Sequence, residues 1–368
     1  MRNKLPVLLL ALCLLLSGCT GWMDGSYSSV HPHTERDQQT ANQTASVSEY
    51  RELLEALVEM VEENVETMLL NVAQMDQEQL PEDMQRAIDY VLTVNPIGAY
   101  AVEDITYEQG ISGGQNALSV TVIYNHNRSE IRRMKQAKDM DEVRSIVADT
   151  MEQCESRVVL LTQEYEATDI SQFVSSYADE NPNVIMETPQ VAVNMYPEEG
   201  TARILEIVFS YQSNRDSLRL MQSRVRPLFT SAELYVTGNQ SDYEKYDQLY
   251  SFLMERHEYQ VKTSITPSYS LLIHGVGDSK AFAAVYAAMC RRAGVECMVV
   301  SGTLDGEPMF WNMIRDGDLY RHVDLLRCSA AGYFHPCTDE EMEGYVWDYS
   351  AYPKCDPPES LDPTDGAE

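Results

Sequence analysis

Positive charge is scarce in this chain of 368 residues: 27 Lys and Arg stand against 58 Asp and Glu, a formal net charge of −31. That excludes nucleic acid as a partner, because a phosphate backbone is held by cationic side chains. It also excludes adhesion to an anionic membrane surface through charge alone. No apolar run is long enough for a mature transmembrane helix; residues 5–16 are too few. None of the eight cysteines has metal-ligand spacing, so neither a metal site nor a cofactor is expected.

The short apolar run has a different meaning. Arg2 and Lys4 precede it and Leu16-Ser17-Gly18-Cys19 closes it, the order of a secretory signal. The closing residues resemble the lipobox of bacterial lipoproteins. The resemblance implies a signal peptide over residues 1–18 and a diacylglycerol on Cys19. The mature protein would then be lipid-anchored on the extracytoplasmic face of the bacterial envelope. Residues 19–45 carry almost no aliphatic side chains and read as a flexible tether. His31 and His33 within it are too weak a ligand set for a metal. Cys154, Cys290 and Cys297 sit among apolar residues and read as core thiols. Cys328, Cys337 and Cys355 stand near the polar C-terminal end, where a disulfide is open to formation, and spacing chooses no pair.

The rest exceeds what one core usually holds. Ser46 with Glu49 reads as a capping box opening a helix, and Leu54, Leu57, Val61, Val65, Met68, Leu69 and Val72 supply its stripe. This gives an N-terminal helix over 46–80. A repeat follows. Asn95-Pro96, a glycine turn at 110–114, a strand at 118–124 and Tyr124…Arg128…Met134 recur as Asn181-Pro182, a turn at 197–200, a strand at 204–211 and Tyr211…Arg215…Met221. Irregular polar residues at matching offsets indicate a duplicated unit. The expected units are 81–170 and 171–240, each a helix, two strands and a closing helix. The first closing helix should run through Val143, Val147, Met151 and Val158. Arg128 and Arg215 should brace the strand-to-helix corners.

The third unit opens at Ser241, with Glu244 completing a capping box, and Tyr246, Leu249, Tyr250 and Leu253 form its stripe. A loop containing Pro267 leads to Gly275. Ser279 begins a helix whose stripe is Phe282, Val285, Tyr286, Met289 and Cys290, closed by Gly294. A strand at 295–300 follows, then a hairpin turning at Asp316-Gly317. With those two residues at its centre, Met309 faces Asp324 and Trp311 faces His322, all on one face. Packing of that face on the start of the Ser279 helix would bring three side chains together.

This region resembles the transglutaminase-like superfamily, in particular the domains of bacterial surface lipoproteins. The likeness runs over 241–357, leaving 358–368 as a disordered tail. Gly275-Val-Gly-Asp-Ser279-Lys-Ala-Phe282-Ala283 matches the segment that ends in the nucleophilic cysteine. Met309-Phe310-Trp311-Asn312 matches His-Ala-Trp-Asn, and Val323-Asp324 matches the final aspartate. The implied fold is α+β and papain-like, with an antiparallel sheet and a nucleophile-position helix, here preceded by the duplicated module. The implied triad positions are Ser279, Met309 and Asp324, with Trp311, His322, Asn312 and Phe282 around the pocket. Two of the three chemical groups are absent. A thiolate is cheap to form beside an imidazole; a serine hydroxyl needs a base more, and Met309 offers none. The expected protein is therefore no enzyme, and Ser279 is a helix-capping residue. Its function would be a surface binding or structural role towards a cell-surface peptide, protein or glycan. The alternative is a serine hydrolase using Ser279, His322 and Asp324.

Overall fold

The computed structural model describes residues 44–236 and 238–355. The expected signal peptide, Cys19, nearly all of the tether and the tail lie outside the described residues.

The first module contains β1 (Thr44–Ser46), α1 (Tyr50–Glu62), β2 (Thr67–Asn71), α2 (Leu80–Thr93), α3 (Pro96–Ala101), β3 (Val102–Ser112) and β4 (Gln115–Tyr124). Its sheet order is β1-β2-β4-β3, with β1 parallel to β2 and the other pairs antiparallel. After α4 (Arg128–Arg132), the second module repeats the plan with β5 (Lys135–Ala137), α5 (Met140–Glu152), β6 (Arg157–Thr162), α6 (Ile170–Glu180), β7 (Gln190–Tyr196) and β8 (Arg203–Ser210). Its order is β5-β6-β8-β7, again with one parallel pair. Thr44 pairs with Leu69 in the first sheet and Lys135 with Leu160 in the second.

The duplicated unit is thus longer than the sequence pattern suggested. It begins at β1 rather than at residue 81, and the expected N-terminal helix over 46–80 is in fact α1 followed by β2. Ser46 does not open a helix, because its backbone is committed to the parallel ladder with β2. The helix starts at Tyr50, where Ser48 N and Oγ both donate to Glu52, each at 2.7 Å. It stops before Asn64, whose φ of 52° leaves the helical region, so Met68 and Leu69 belong to a strand. Cys154 makes the same left-handed break after α5, also at 52°. The expected long closing helix of the first copy is therefore four elements: α4, β5, α5 and β6, with Val158 on the last strand.

The matched corners follow the sequence more closely. Asn127 caps α4 by accepting from the backbone of Ser129 and Glu130, and Asn214 caps α7 (Arg215–Tyr235) by accepting from Ser217. Arg128 pairs with Glu63 at 2.9 Å, and Arg215 pairs with Glu155. Both arginines clamp the corner to the end of the crossover helix. One partner has diverged: the Tyr124 hydroxyl donates to Met60 and Val65 carbonyls, whereas the buried Tyr211 hydroxyl has no partner.

Helix α7 leaves the second module and becomes a wall of the third unit. Leu218, Val225 and Phe229 share a core with Tyr246, Leu249, Phe282 and Tyr286. That unit comprises α8 (Asp242–Met254), β9 (Glu258–Tyr259), α9 (Pro267–His274), β10 (Val276–Gly277), α10 (Ser279–Arg292), β11 (Cys297–Leu304), β12 (Glu307–Asp316), β13 (Leu319–Val323), α11 (Leu325–Ala331) and β14 (Tyr345–Trp347). The Ser241–Glu244 capping box forms as expected. The segment leading to Gly275 is not a loop throughout; Pro267 occupies the first turn of α9, and Gly275 ends that helix at φ 79°. Helix α10 is buried continuously from Ala281 to Cys290, and its alanines let the sheet approach closely. The sheet runs β13-β12-β11-β14.

The hairpin turn sits one residue later than expected. Asp316 pairs with Leu319, so Gly317 and Asp318 are the central residues. Gly317 takes φ 62° while Asp318 is not left-handed, the pattern of a II′ turn with glycine first. Met313, not Trp311, therefore faces His322. A slide of two residues preserves which side chains share a face.

Candidate active-site region

Ser279 is the first residue of α10, but it does not cap that helix. Asp278 does, accepting from Ala281 N at 2.8 Å. An aspartate directly ahead of the apolar run was a legible capping signal. The Ser279 Oγ instead accepts from the backbone N–H of Phe310 at 3.3 Å. Lys280 pairs with Asp179 of α6 at 2.8 Å, tying the helix start to the second module.

The sheet presents the opposite face from the one expected to meet α10. Asn312 Nδ2 donates to the Ala283 carbonyl at 2.9 Å, and Ile314 and Val323 enter the core that contains α10. Met309, Trp311 and Met313 pack in a separate cluster with Tyr345 and Trp347. The hairpin face that carries Met309 and Trp311 is thus not the face that packs on α10, although Ser279 reaches the backbone of Phe310 beside Met309. The reason is tertiary: small side chains on α10 and the Asn312 amide match the even-numbered face, while the aromatics need the larger cover of the C-terminal strand.

That cover is close. Trp311 lies 5.2 Å from the Tyr345 ring and 5.8 Å from the Trp347 indole, centroid to centroid. Trp311 was expected to floor a pocket, and Phe282, Asn312 and His322 to surround it. All four are buried. Of the three residues expected at the triad positions, Ser279 and Met309 are each 7% exposed and Asp324 is 5% exposed.

Asp324 acts as the N-cap of α11, accepting from Leu326 N and Arg327 N. Its second carboxylate oxygen accepts from the Tyr345 hydroxyl at 2.5 Å. Burial, and then this carboxylate, push the Tyr345 hydroxyl pKa up. Sequence reasoning attached no role to Tyr345; its alternation with Trp347 on a short strand was the available signal.

His322 is fully buried and both ring nitrogens are engaged. Trp311 Nε1 donates to Nδ1 at 3.0 Å, and Nε2 lies 2.9 Å from Asp339 Oδ1. An indole N–H can only donate, so Nδ1 must offer its lone pair and the proton must sit on Nε2. Burial holds the imidazole pKa below its usual value, with Asp339 partly opposing the shift. Neither nitrogen is hydrogen-bonded to Ser279, so the Ser279–His322–Asp324 alternative lacks its base-to-nucleophile contact here.

His322, Asp339 and Cys355 bring three ligand-type atoms within 4.8 Å of one another. A metal at Nε2 would move the ring proton to Nδ1, where it would confront the Trp311 N–H. Asp339 Oδ1 instead also accepts from Cys355 N at 3.2 Å. The geometry is that of a hydrogen-bond anchor for the C-terminal segment. Cys328 and Cys337 both direct their sulfurs at the His335 carbonyl, at 3.6 and 3.5 Å. Burial pushes the Cys328 thiol pKa up to about 11. No disulfide joins the described cysteines.

Residues 230–350 match the model of the transglutaminase-like superfamily. The C-terminal unit has a transglutaminase-like fold. This transglutaminase-like unit follows two similar four-stranded α+β modules, the overall α+β architecture expected from the sequence. Among solved structures, a candidate cysteine protease from Cytophaga hutchinsonii is 12% identical, with 40% of this chain and 65% of that chain covered and a TM-score of 0.24. A TGase structure is 9% identical, covering 61% and 66% at a TM-score of 0.24. A candidate protease from Parabacteroides distasonis is 10% identical, covering 70% and 43% at 0.22. The chain spans less than two thirds of each of these three. No curated protein matches it.

Proposed function

We propose that this chain is a lipid-anchored envelope protein whose transglutaminase-like unit is non-catalytic and serves as a closed structural or binding scaffold. The observation that carries the reading is the replacement of thiol and imidazole by Ser279 and Met309 at buried positions. Further support comes from the roles their neighbours have acquired. Asp324 caps α11 and holds Tyr345, and His322 anchors Asp339. Without a base at the nucleophile position, the roughly 10²–10⁴-fold supplied by proton transfer is missing. The burial of Ser279, Met309 and Asp324 favours a structural part, with any peptide, protein or glycan contact made elsewhere on the surface. The anchor itself rests on the lipobox ending at Cys19.

The test is turnover. Purified protein should neither crosslink glutamine to lysine nor hydrolyse peptide or ester substrates. Activity that disappears in Ser279→Ala would refute the proposal. The paired variant Ser279→Cys with Met309→His is the positive control for the frame. Rapid alkylation of that pair near neutral pH, absent from Ser279→Cys alone, would mean that the scaffold still supports a thiolate.

A further inference from the structure

We infer that the junction between the two repeated modules binds a small organic anion, with a carboxylate or phosphate head and an apolar body. A cleft of about 420 Å³ opens there, lined from the first module by Tyr100 on α3. The connecting segment adds Glu130 and Arg133, and the second module adds Lys135, Glu155 and Arg157. This volume lies within the roughly 300–1,000 Å³ typical of small-molecule sites.

Charge accounting selects the ligand. Arg157 is used internally: it pairs with Glu206 at 2.6 Å and reaches the Tyr100 hydroxyl at 3.2 Å. Both acids of the cleft also have donors. Glu155 is held by Arg215, and Glu130 accepts from Asn127 N at 2.9 Å in the α4 capping box. Two cations have no such partner. Arg133 donates only to the backbone and hydroxyl oxygens of Ser129, and Lys135 makes no ion pair among the described residues.

An exposed lysine is ordinarily just solvated. Here, however, the two cations of this cleft that lack a carboxylate partner share a single concavity, while its acids are already held by other donors. Its floor is apolar, with Met134 and Val158 buried. A guanidinium fork and an ammonium suit a carboxylate or a phosphate equally. The floor suits a hydrocarbon or aromatic body, and the Tyr100 ring, stacked on His126 at 4.1 Å, stiffens one wall.

Calorimetric titration of the full chain at low salt tests the site, with phenylacetate and phenyl phosphate as probes. Acetate and inorganic phosphate supply the heads alone, and phenylacetamide supplies the body without charge. At least one aromatic anion should saturate, at least about tenfold tighter than its head alone and than the amide. Whichever head wins identifies carboxylate or phosphate as the natural chemistry. Arg133→Gln and Lys135→Gln should each weaken that binding about tenfold, while Lys262→Gln, on an exposed residue elsewhere, should not. Parallel thermal unfolding of each variant separates lost binding from lost fold. Absence of saturation by every probe up to about 10 mM, or undiminished binding in the Arg133→Gln/Lys135→Gln double variant, overturns the assignment.

Discussion

The indole N–H of Trp311 donates to Nδ1 of His322 at 3.0 Å, inside a fully buried contact between β12 and β13. This one bond decides where the histidine proton sits and hence what the ring can do. It directs Nε2–H at Asp339 and converts a potential base into an anchor for the segment that closes the domain.

A pH dependence follows from that arrangement. Burial lowers the folded pKa of His322 from about 6.5. The unfolded chain therefore takes up a proton at a higher pH than the folded one. The contribution is fully present above about pH 6.5 and is lost as pH falls through the folded pKa. Urea unfolding between pH 7.5 and 5 should show stability declining with acid. The decline should be shallower in His322→Gln; identical slopes would remove His322 as its source.

Gly302 should not tolerate a side chain. A Cβ there would lie 2.3 Å from the Val346 carbonyl oxygen and 2.7 Å from Trp311 Cη2. Gly302→Ala is expected to cost about 1–3 kcal/mol by forcing β14 off the sheet or tilting the indole. The loss should appear both in denaturant midpoint and in faster proteolysis of the C-terminal segment. Wild-type stability would mean that β14 is not seated this tightly.

Asp324 and Tyr345 should be energetically coupled. Asp324→Ala removes the α11 cap, at about 1 kcal/mol, and also strands the Tyr345 hydroxyl. Tyr345→Phe alone removes only the hydroxyl bond. A double-mutant cycle should give a coupling of at least about 0.5 kcal/mol. Additive effects would show that the 2.5 Å contact contributes nothing to stability.

Lipidation of Cys19 is independent of all of these. A clickable fatty-acid analogue fed to expressing bacteria should label the wild-type protein and leave Cys19→Ala unlabelled. Equal labelling of both would sink the anchor and the localisation built on it.

Elements whose signals are local were legible in the sequence. The Ser241–Glu244 box, the Asn127 and Asn214 corners and the buried stripe of α10 rest on contacts within a few residues. The repeat was visible through Tyr124, Arg128, Tyr211 and Arg215. Its true extent was not, because the matching β1 and β5 are only three residues long and exist only by pairing with β2 and β6. The absence of thiol and imidazole at positions 279 and 309 was likewise a property of the sequence alone.

Tertiary structure decided the rest. The apolar periodicity of α1 runs on into β2, and the left-handed break at Asn64 together with the ladders to β1 and β4 separates helix from strand there. Which hairpin face met α10 depended on the match between alanines and Asn312 on one side and aromatic cover on the other. The role of His322 depended on a hydrogen bond from Trp311 and an aspartate 17 positions away. Composition and spacing specify which groups a chain owns. Only packing assigns each buried donor its acceptor, because an unpaired polar group in the interior is costly enough to determine the arrangement.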